Sequence, residues 1–368
     1  MMHTNFIIEA TLQFGSKTAP IGAPMYIQRG FMLNGVWYAD MGDYLRSLND
    51  PFADTIMRYI STNIIYPDVV AELCRLYNHM CGNVVMPNTA VVVANIDWSH
   101  GMTHLHHVMA FALALAKYSN LDCRWTELLM IIVWIHDMQD RKYIQDPAHK
   151  ADILDYIAQI GHAYGMPWLQ ILVQESARLL PYSSRRGVPA DQQYRFNPAI
   201  ITPDIEQAIA EHYRMSVAEF LAAIKLILQI VADADMAHAL FELLRIFVLA
   251  ATRVNEPYTR WRNNNATIVE QIVHGQKDHY TTPYGKYFYT LMLPGAIAWR
   301  DAYAAWPVVA VREKNVVPGA PVRNVFATKA SRRDGITYLK PSPPARLRII
   351  VHQDTANIFA NHPRRQMA

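Results

Sequence analysis

A chain of 368 residues, 52% hydrophobic and 18% charged, has a globular composition with room for one large domain or two modest ones. A net charge of +3 gives no whole-molecule field arguing for nucleic acid or a membrane surface, although Val311–Ala368 carries a balance of +8 and the rest of the chain −5. Three cysteines without a regular framework exclude a disulfide scaffold and do not have zinc-site spacing; they suit a reducing compartment.

The first ~55 residues read as an irregular extension with short strands, broken by Pro20, Pro24 and Pro51, with a hairpin signal at Asn34-Gly35. The N-terminus lacks a basic stretch followed by a long apolar core, and no run of ~18 apolar residues exists. The expectation is no classical export signal and no membrane span. The protein is then cytoplasmic, or secreted without a classical signal as an effector is.

From about Asp54 the apolar spacing becomes helical, in "DTIMRYISTNII", "DVVAELCRLYNHM" and "HLHHVMAFALALAKYS". "VVMPNTAVVVANI" fits a buried strand or an apolar loop equally. Helices are expected again at "TELLMIIVWIHD", "HKADILDYIAQIGHAYG" and "MPWLQILVQESARLL", followed by a loop at "PYSSRRGVPADQQYRFNP". Thr202-Pro203 opens another helix with proline at its first position. Ser216 and Glu219 form a capping-box signature for the longest helix, expected to reach about Thr252. Beyond Tyr280 the pattern breaks into short pieces rich in Pro, Gly and Tyr. The predicted organisation is an N-terminal extension (1–55), an α-helical domain (56–280) and a basic C-terminal extension (281–368).

Within this helical region the polar residues fall in revealing places. His104 shares a stripe with Val108, Phe111 and Leu115, whereas His106 falls on the opposite, more exposed side. The apolar run Leu128–Ile135 ends in His136-Asp137, with Asp140 four residues after His136. Asp235 shares a stripe with Ile224, Leu228 and Val231, which selects it as the buried acid and leaves Asp233 on the surface or behind the site. A buried carboxylate without a cation costs several kcal/mol or is protonated. Two buried histidines and two buried aspartates from three apolar helices suit a divalent metal in a bundle core.

The order H…HD…D, with His104 in "HLHHV", the doublet His136-Asp137 and Asp235 in "DADMAHAL", resembles the HD-domain superfamily of metal-dependent phosphohydrolases. The resemblance runs from about Asp97 to Leu244 and includes the "SHGMTH" lead-in. It implies a mainly α fold, an HD-domain helical bundle, here with less regular N- and C-terminal extensions containing short strands. It implies a divalent ion (Mn, Mg, Ni, Fe or Zn) held by His104, His136, Asp137 and Asp235, and hydrolysis of a phosphoester or phosphoanhydride in a nucleotide or nucleotide-like substrate. Asp140 falls where several HD hydrolases carry a water-activating acid. Two departures stand out. His107 occupies a position where relatives often have arginine. The extra histidines of dinuclear enzymes have only His149 and His162 as counterparts, which favours one metal over two.

On this reading Asp140 is the candidate general base, and His107 and His238 steady the phosphate or protonate a leaving oxygen. Imidazole must be neutral to bind metal, so activity falls in acid. Candidates for substrate binding are Glu175 and Arg178 on a neighbouring helix and Arg185 and Arg186 in the Ser183–Gly187 loop, although a helix surface and a solvated loop account for them as simply. Arg260, Trp261 and Arg262 can stack a base and meet phosphate, or form an exposed helix end.

Two other readings compete. The "HG..H" helix also resembles the metal-independent phosphodiesterase domains of SidE-type bacterial effectors, which act on ADP-ribosylated ubiquitin with paired histidines. Here the pair is His100 or His104 with His238. The chain can instead be a non-catalytic HD module that binds a nucleotide, or a protein through its extensions.

Overall fold

The computed structural model describes residues 30–87, 89–94, 96, 100–141, 143–185, 187–189, 192–243, 267–304, 330–333 and 336–339. Its fold is mainly α. The first elements are two short antiparallel strands, β1 (Phe31–Leu33) and β2 (Val36–Tyr38), paired Phe31 to Tyr38 and Leu33 to Val36. Asn34 and Gly35 both take positive φ, 51° and 78°, as a two-residue hairpin turn with the twist of its strands requires. Helix α1 (Met41–Ser47) follows.

Some of the longer helices begin at a side-chain cap. In α2 (Pro51–Ser61) the Asp50 carboxylate accepts from the backbone N–H groups of Phe52 and Ala53, with proline at the first position. Next come α3 (Asp68–Met80), α4 (Met102–Tyr118) and α5 (Thr126–Ile135). Then α6 (Pro147–Ala163), capped by Asp146, precedes α7 (Leu169–Leu179) and the short α8 (Tyr182–Arg185). Thr202 caps α9 (Pro203–Tyr213). Helix α10 (Val217–Phe241) opens with a complete capping box: Ser216 N–H and Oγ both donate to Glu219 Oε2, and Glu219 N–H donates to Ser216 Oγ. Its expected continuation to Thr252 lies outside the described residues.

The described part of "VVMPNTAVVVANI" takes neither helix nor strand. It is anchored by buried His79, whose two ring nitrogens contact the carbonyls of Val84 (3.1 Å) and Val91 (2.9 Å).

The chain divides into two units. The larger comprises the described residues within Leu48–His238 and Gln276–Leu291. In it α5 packs against α3, α4 and α7, and Leu128–Ile135 is wholly buried. A helix apolar on every side belongs in the middle of a core. Burying a side chain such as Trp134 is worth roughly 5 kcal/mol by its apolar area. Helix α4 packs on α2 through the Phe52 and Tyr118 rings, 4.7 Å apart. A second aromatic cluster of Trp125, Trp168, Tyr213 and Phe220 ties the start of α7 to α9 and α10.

After Tyr280, where short pieces were expected, the structure has a 22-residue helix, α11 (Pro283–Ala304), with Pro294 inside it. Its first turns pack within the larger unit, Phe288 lying 5.6 Å from the Phe52 ring and 5.3 Å from Phe111.

The other unit comprises the described residues within Met1–Ser47, Ala239–Gly275 and Met292–Arg348. There Phe31, Tyr38 and Tyr44 form an aromatic cluster, and a Cβ at Gly295 would lie 2.9 Å from the Tyr44 ring. This unit also holds the strand pair β3 (Ala330–Arg333) and β4 (Ile336–Leu339). Among the described residues no single helix is long and apolar enough to cross a membrane; α9 and α10, bent by 76°, pass that test only as a pair.

Candidate metal centre

Helix α5 ends at Ile135, and His136–Asp140 turns away in tight steps, with N–H of Met138 on the Ile135 carbonyl and N–H of Asp140 on that of Asp137. The His136 ring folds back along its own helix, placing Nδ1 2.6 Å from the Val133 carbonyl. A carbonyl only accepts, so Nδ1 carries a proton, and when the ring is neutral Nε2 presents a lone pair. That nitrogen is buried, makes no hydrogen bond, and lies 3.4 Å from Asp137 Oδ2. Asp137 Oδ2 is likewise buried and without a hydrogen bond. With the ring neutral, two buried acceptors face each other.

His104 enters from α4, 2% exposed, with Nε2 3.4 Å from Asp137 Oδ2 and 3.5 Å from Asp235 Oδ1. The donor atoms of His104, His136 and Asp137 all lie within 4.8 Å of one another. Two ligands of one divalent ion, each at ~2.1 Å from it, are roughly 3.0–3.4 Å apart, so these residues fit a shared cation. Asp235, from α10, reaches His104 but falls outside that group of three.

Charge at the site follows from the same geometry. Burial would raise the Asp137 carboxyl, but His136 and His104 hold it well below the usual carboxylate range. Burial would lower the His136 imidazole, yet the charges of Asp137 and Asp235 outweigh it and raise it. Together the shifts describe a buried imidazolium–carboxylate pair, the charge arrangement that a cation bound among these side chains would replace.

Behind the cluster, His104 Nδ1 is 2.8 Å from His238 Nδ1, and His238 Nε2 is 3.2 Å from His107 Nδ1. His238 is wholly buried. When His104 donates to His238, its Nε2 is left with a lone pair toward the carboxylates, the tautomer a ligand needs. Asp140 is half-buried, and its charge reaches His136 and Tyr77. His100 accompanies them: its Nδ1 is 2.9 Å from the Tyr143 hydroxyl, and the Tyr77 hydroxyl donates to its carbonyl. Tyr77 and Tyr143 were not singled out from the sequence, and no spacing marks them.

The stripe argument on α10 is corrected. Asp233, expected at the surface or behind the site, is 0% exposed, whereas the side chain of Asp235, expected buried, is 45% exposed. Nearly every residue from Phe220 to His238 on the inner turns of α10 is covered, so a single apolar stripe does not separate its faces. Asp233 accepts from the backbone N–H groups of Thr281 (2.9 Å) and Thr282 (2.8 Å) and from the Thr282 hydroxyl (2.6 Å), ahead of the first turn of α11. His106, read as exposed, is half-buried beside Tyr66 and Trp134; burial and His107 push its imidazole down to about 4.

The remaining candidates divide. Glu175 and Arg178 pair with each other (2.8 and 2.5 Å) and pin the following loop through Asn197 N–H and the Arg195 carbonyl. Arg185 is 3% exposed, not in a solvated loop, and donates to the Tyr194 hydroxyl at 2.6 Å. Arg186 and Arg260–Arg262 lie outside the described residues. His149 is partly exposed beside Asp146, and His162 is exposed in the last turn of α6. Comparisons with family models, curated proteins and solved structures returned no match.

Proposed function

We propose that the chain is a metal-dependent phosphohydrolase or phosphodiesterase of the HD type, acting on a nucleotide or nucleotide-like small molecule. The observation that carries this reading is the convergence of His104, His136 and Asp137, whose donor atoms lie buried within 4.8 Å of one another. With both imidazoles neutral, lone pairs so apposed in a dry site are costly unless a cation lies between them.

His104, His136, Asp137 and Asp235 would hold the ion. When bound, a divalent ion supplies Lewis acidity toward a phosphoryl oxygen and acidifies water. The chain's own residues do the rest. Val133 and His238 fix the ring orientations of His136 and His104. Asp140, beside His136 in charge, accepts a proton as general base. His107, joined to His238, is the donor toward a leaving oxygen.

The test is turnover of a nucleotide panel by protein supplied with Mn²⁺, Mg²⁺, Ni²⁺ or Fe²⁺, then treated with chelator. Metal-dependent turnover, lost in His136→Ala, is the expected result.

The 2.8 Å contact between His104 and His238 favours a second reading. A buried histidine pair is also the equipment of a metal-independent phosphodiesterase of the SidE type. Turnover that persists in chelator and in His136→Ala selects it over the first.

A further inference from the structure

Three imidazoles stand in a row behind the candidate ligands. His104 and His107, three residues apart, share a face of α4. His238 reaches them from α10, wholly buried, its ring centre 4.9 Å from that of His104 and 5.1 Å from that of His107. The contacts run nitrogen to nitrogen: His104 Nδ1 to His238 Nδ1 at 2.8 Å, and His238 Nε2 to His107 Nδ1 at 3.2 Å. Phe111, one turn further along α4, closes on the same ring with its centre 6.1 Å away.

Each such contact needs one N–H and one lone pair. A neutral imidazole has one of each, so in a row of neutral rings the first tautomer dictates the next two. His238 takes the neutral form, because a charge on a ring enclosed between two imidazoles in a dry place is costly. Two polarities are then open to the row, and they differ at both ends. In one, His104 Nε2 carries its proton toward Asp137 Oδ2 (3.4 Å) and Asp235 Oδ1 (3.5 Å). His104 Nδ1 then accepts from His238, His238 Nε2 accepts from His107, and His107 Nε2 is left as a lone pair. In the other, His104 Nε2 is a metal ligand, both bonds run the opposite way, and His107 Nε2 is left as an N–H.

The geometry points to a metal-controlled switch: a cation on His104 turns His107 from a proton acceptor into a proton donor, through His238. In the reversal His104 Nε2 gives its proton to water and Nδ1 takes the one on His238 Nδ1. His238 Nε2 takes the one on His107 Nδ1, and His107 Nε2 takes one from water. Each ring keeps one proton and none changes charge, so the row reverses without titrating. This deepens the hydrolase reading and rests on it for the leaving oxygen that His107 serves. His238 is a positioning residue here, setting which nitrogen of His107 bears the proton.

The test is nitrogen-15 NMR of the histidine rings in the full-length chain, chelator-treated and loaded with diamagnetic Mg²⁺ or Zn²⁺, with metal content measured in both samples. His107→Gln and His238→Phe assign the resonances, and circular dichroism checks their folds. Chelated wild type should carry the His107 and His238 protons on Nδ1; loaded wild type should carry both on Nε2. In His238→Phe, which keeps a ring but has no nitrogen, loading should leave the His107 signals unshifted. Unchanged tautomers at His107 and His238 in protein that has taken up metal overturn the switch and leave the hydrolase reading standing. A doubly protonated His238 in either sample overturns it too, as does a His107 that still reverses in folded His238→Phe. If that variant fails to fold, the two wild-type spectra decide. Reversal in a protein that turns over no nucleotide keeps the switch and removes the hydrolase; protein that takes up no metal overturns both.

Discussion

His136 shows how much one side chain can commit a site. Its Nδ1 is spent on the Val133 carbonyl, so the chemistry left to it is that of Nε2, aimed at Asp137. His104 depends in the same way on His238. Removing such a supporting group usually weakens a metal site about 10–100-fold. His238→Ala should therefore lower Mn²⁺ affinity by that factor in a fluorescence-competition titration while leaving the ligands in place; unchanged affinity would mean that His238 does not orient His104. The pair His136-Asp137 was legible in the sequence because charge at the end of an all-apolar run is physically conspicuous. The roles of Asp233 and Asp235 were not. Their difference comes from what packs on α10, namely residues almost fifty positions later, and no stripe on the helix itself records that.

At the scale of elements, the clearest case is the junction of α10 with the start of α11. The Asp233 carboxylate is held by Thr281 and Thr282, and a Cβ placed on Gly285 would lie 2.2 Å from its Oδ2. The oxygen cannot retreat without giving up those bonds. Gly285→Ala should thus be destabilising, and Asp233→Ala, which strands the buried Thr282 N–H and the part-buried Thr281 N–H, should cost about 3 kcal/mol in urea unfolding. A loss under about 1 kcal/mol for both would show that the junction is not a fixed contact. Local signals predicted much of the rest: Asn34-Gly35 for the hairpin, Thr202-Pro203 and Ser216 with Glu219 for helix starts. They failed for α11, where Gly285, Pro294 and Gly295 read as breakers. Two of these are sites of close approach, Gly285 to Asp233 and Gly295 to Tyr44, so glycine there reflects packing and not a turn.

At the scale of the molecule, the candidate metal site joins three core helices distant in sequence: α4, the end of α5 and α10. A ligand that binds only the folded state stabilises it by mass action, about 2.7 kcal/mol at a hundredfold excess over its Kd. Metal should therefore raise the melting temperature of chelated protein by roughly 5 °C, and His136→Ala should abolish the rise.

The most direct measurement is elemental analysis of the purified protein beside His136→Ala. The account predicts about one equivalent of a divalent transition metal or magnesium in the wild type, restored after chelation by added metal, and almost none in the variant. Wild-type protein that takes up no metal on reconstitution, or a folded His136→Ala that retains the full complement, would contradict it.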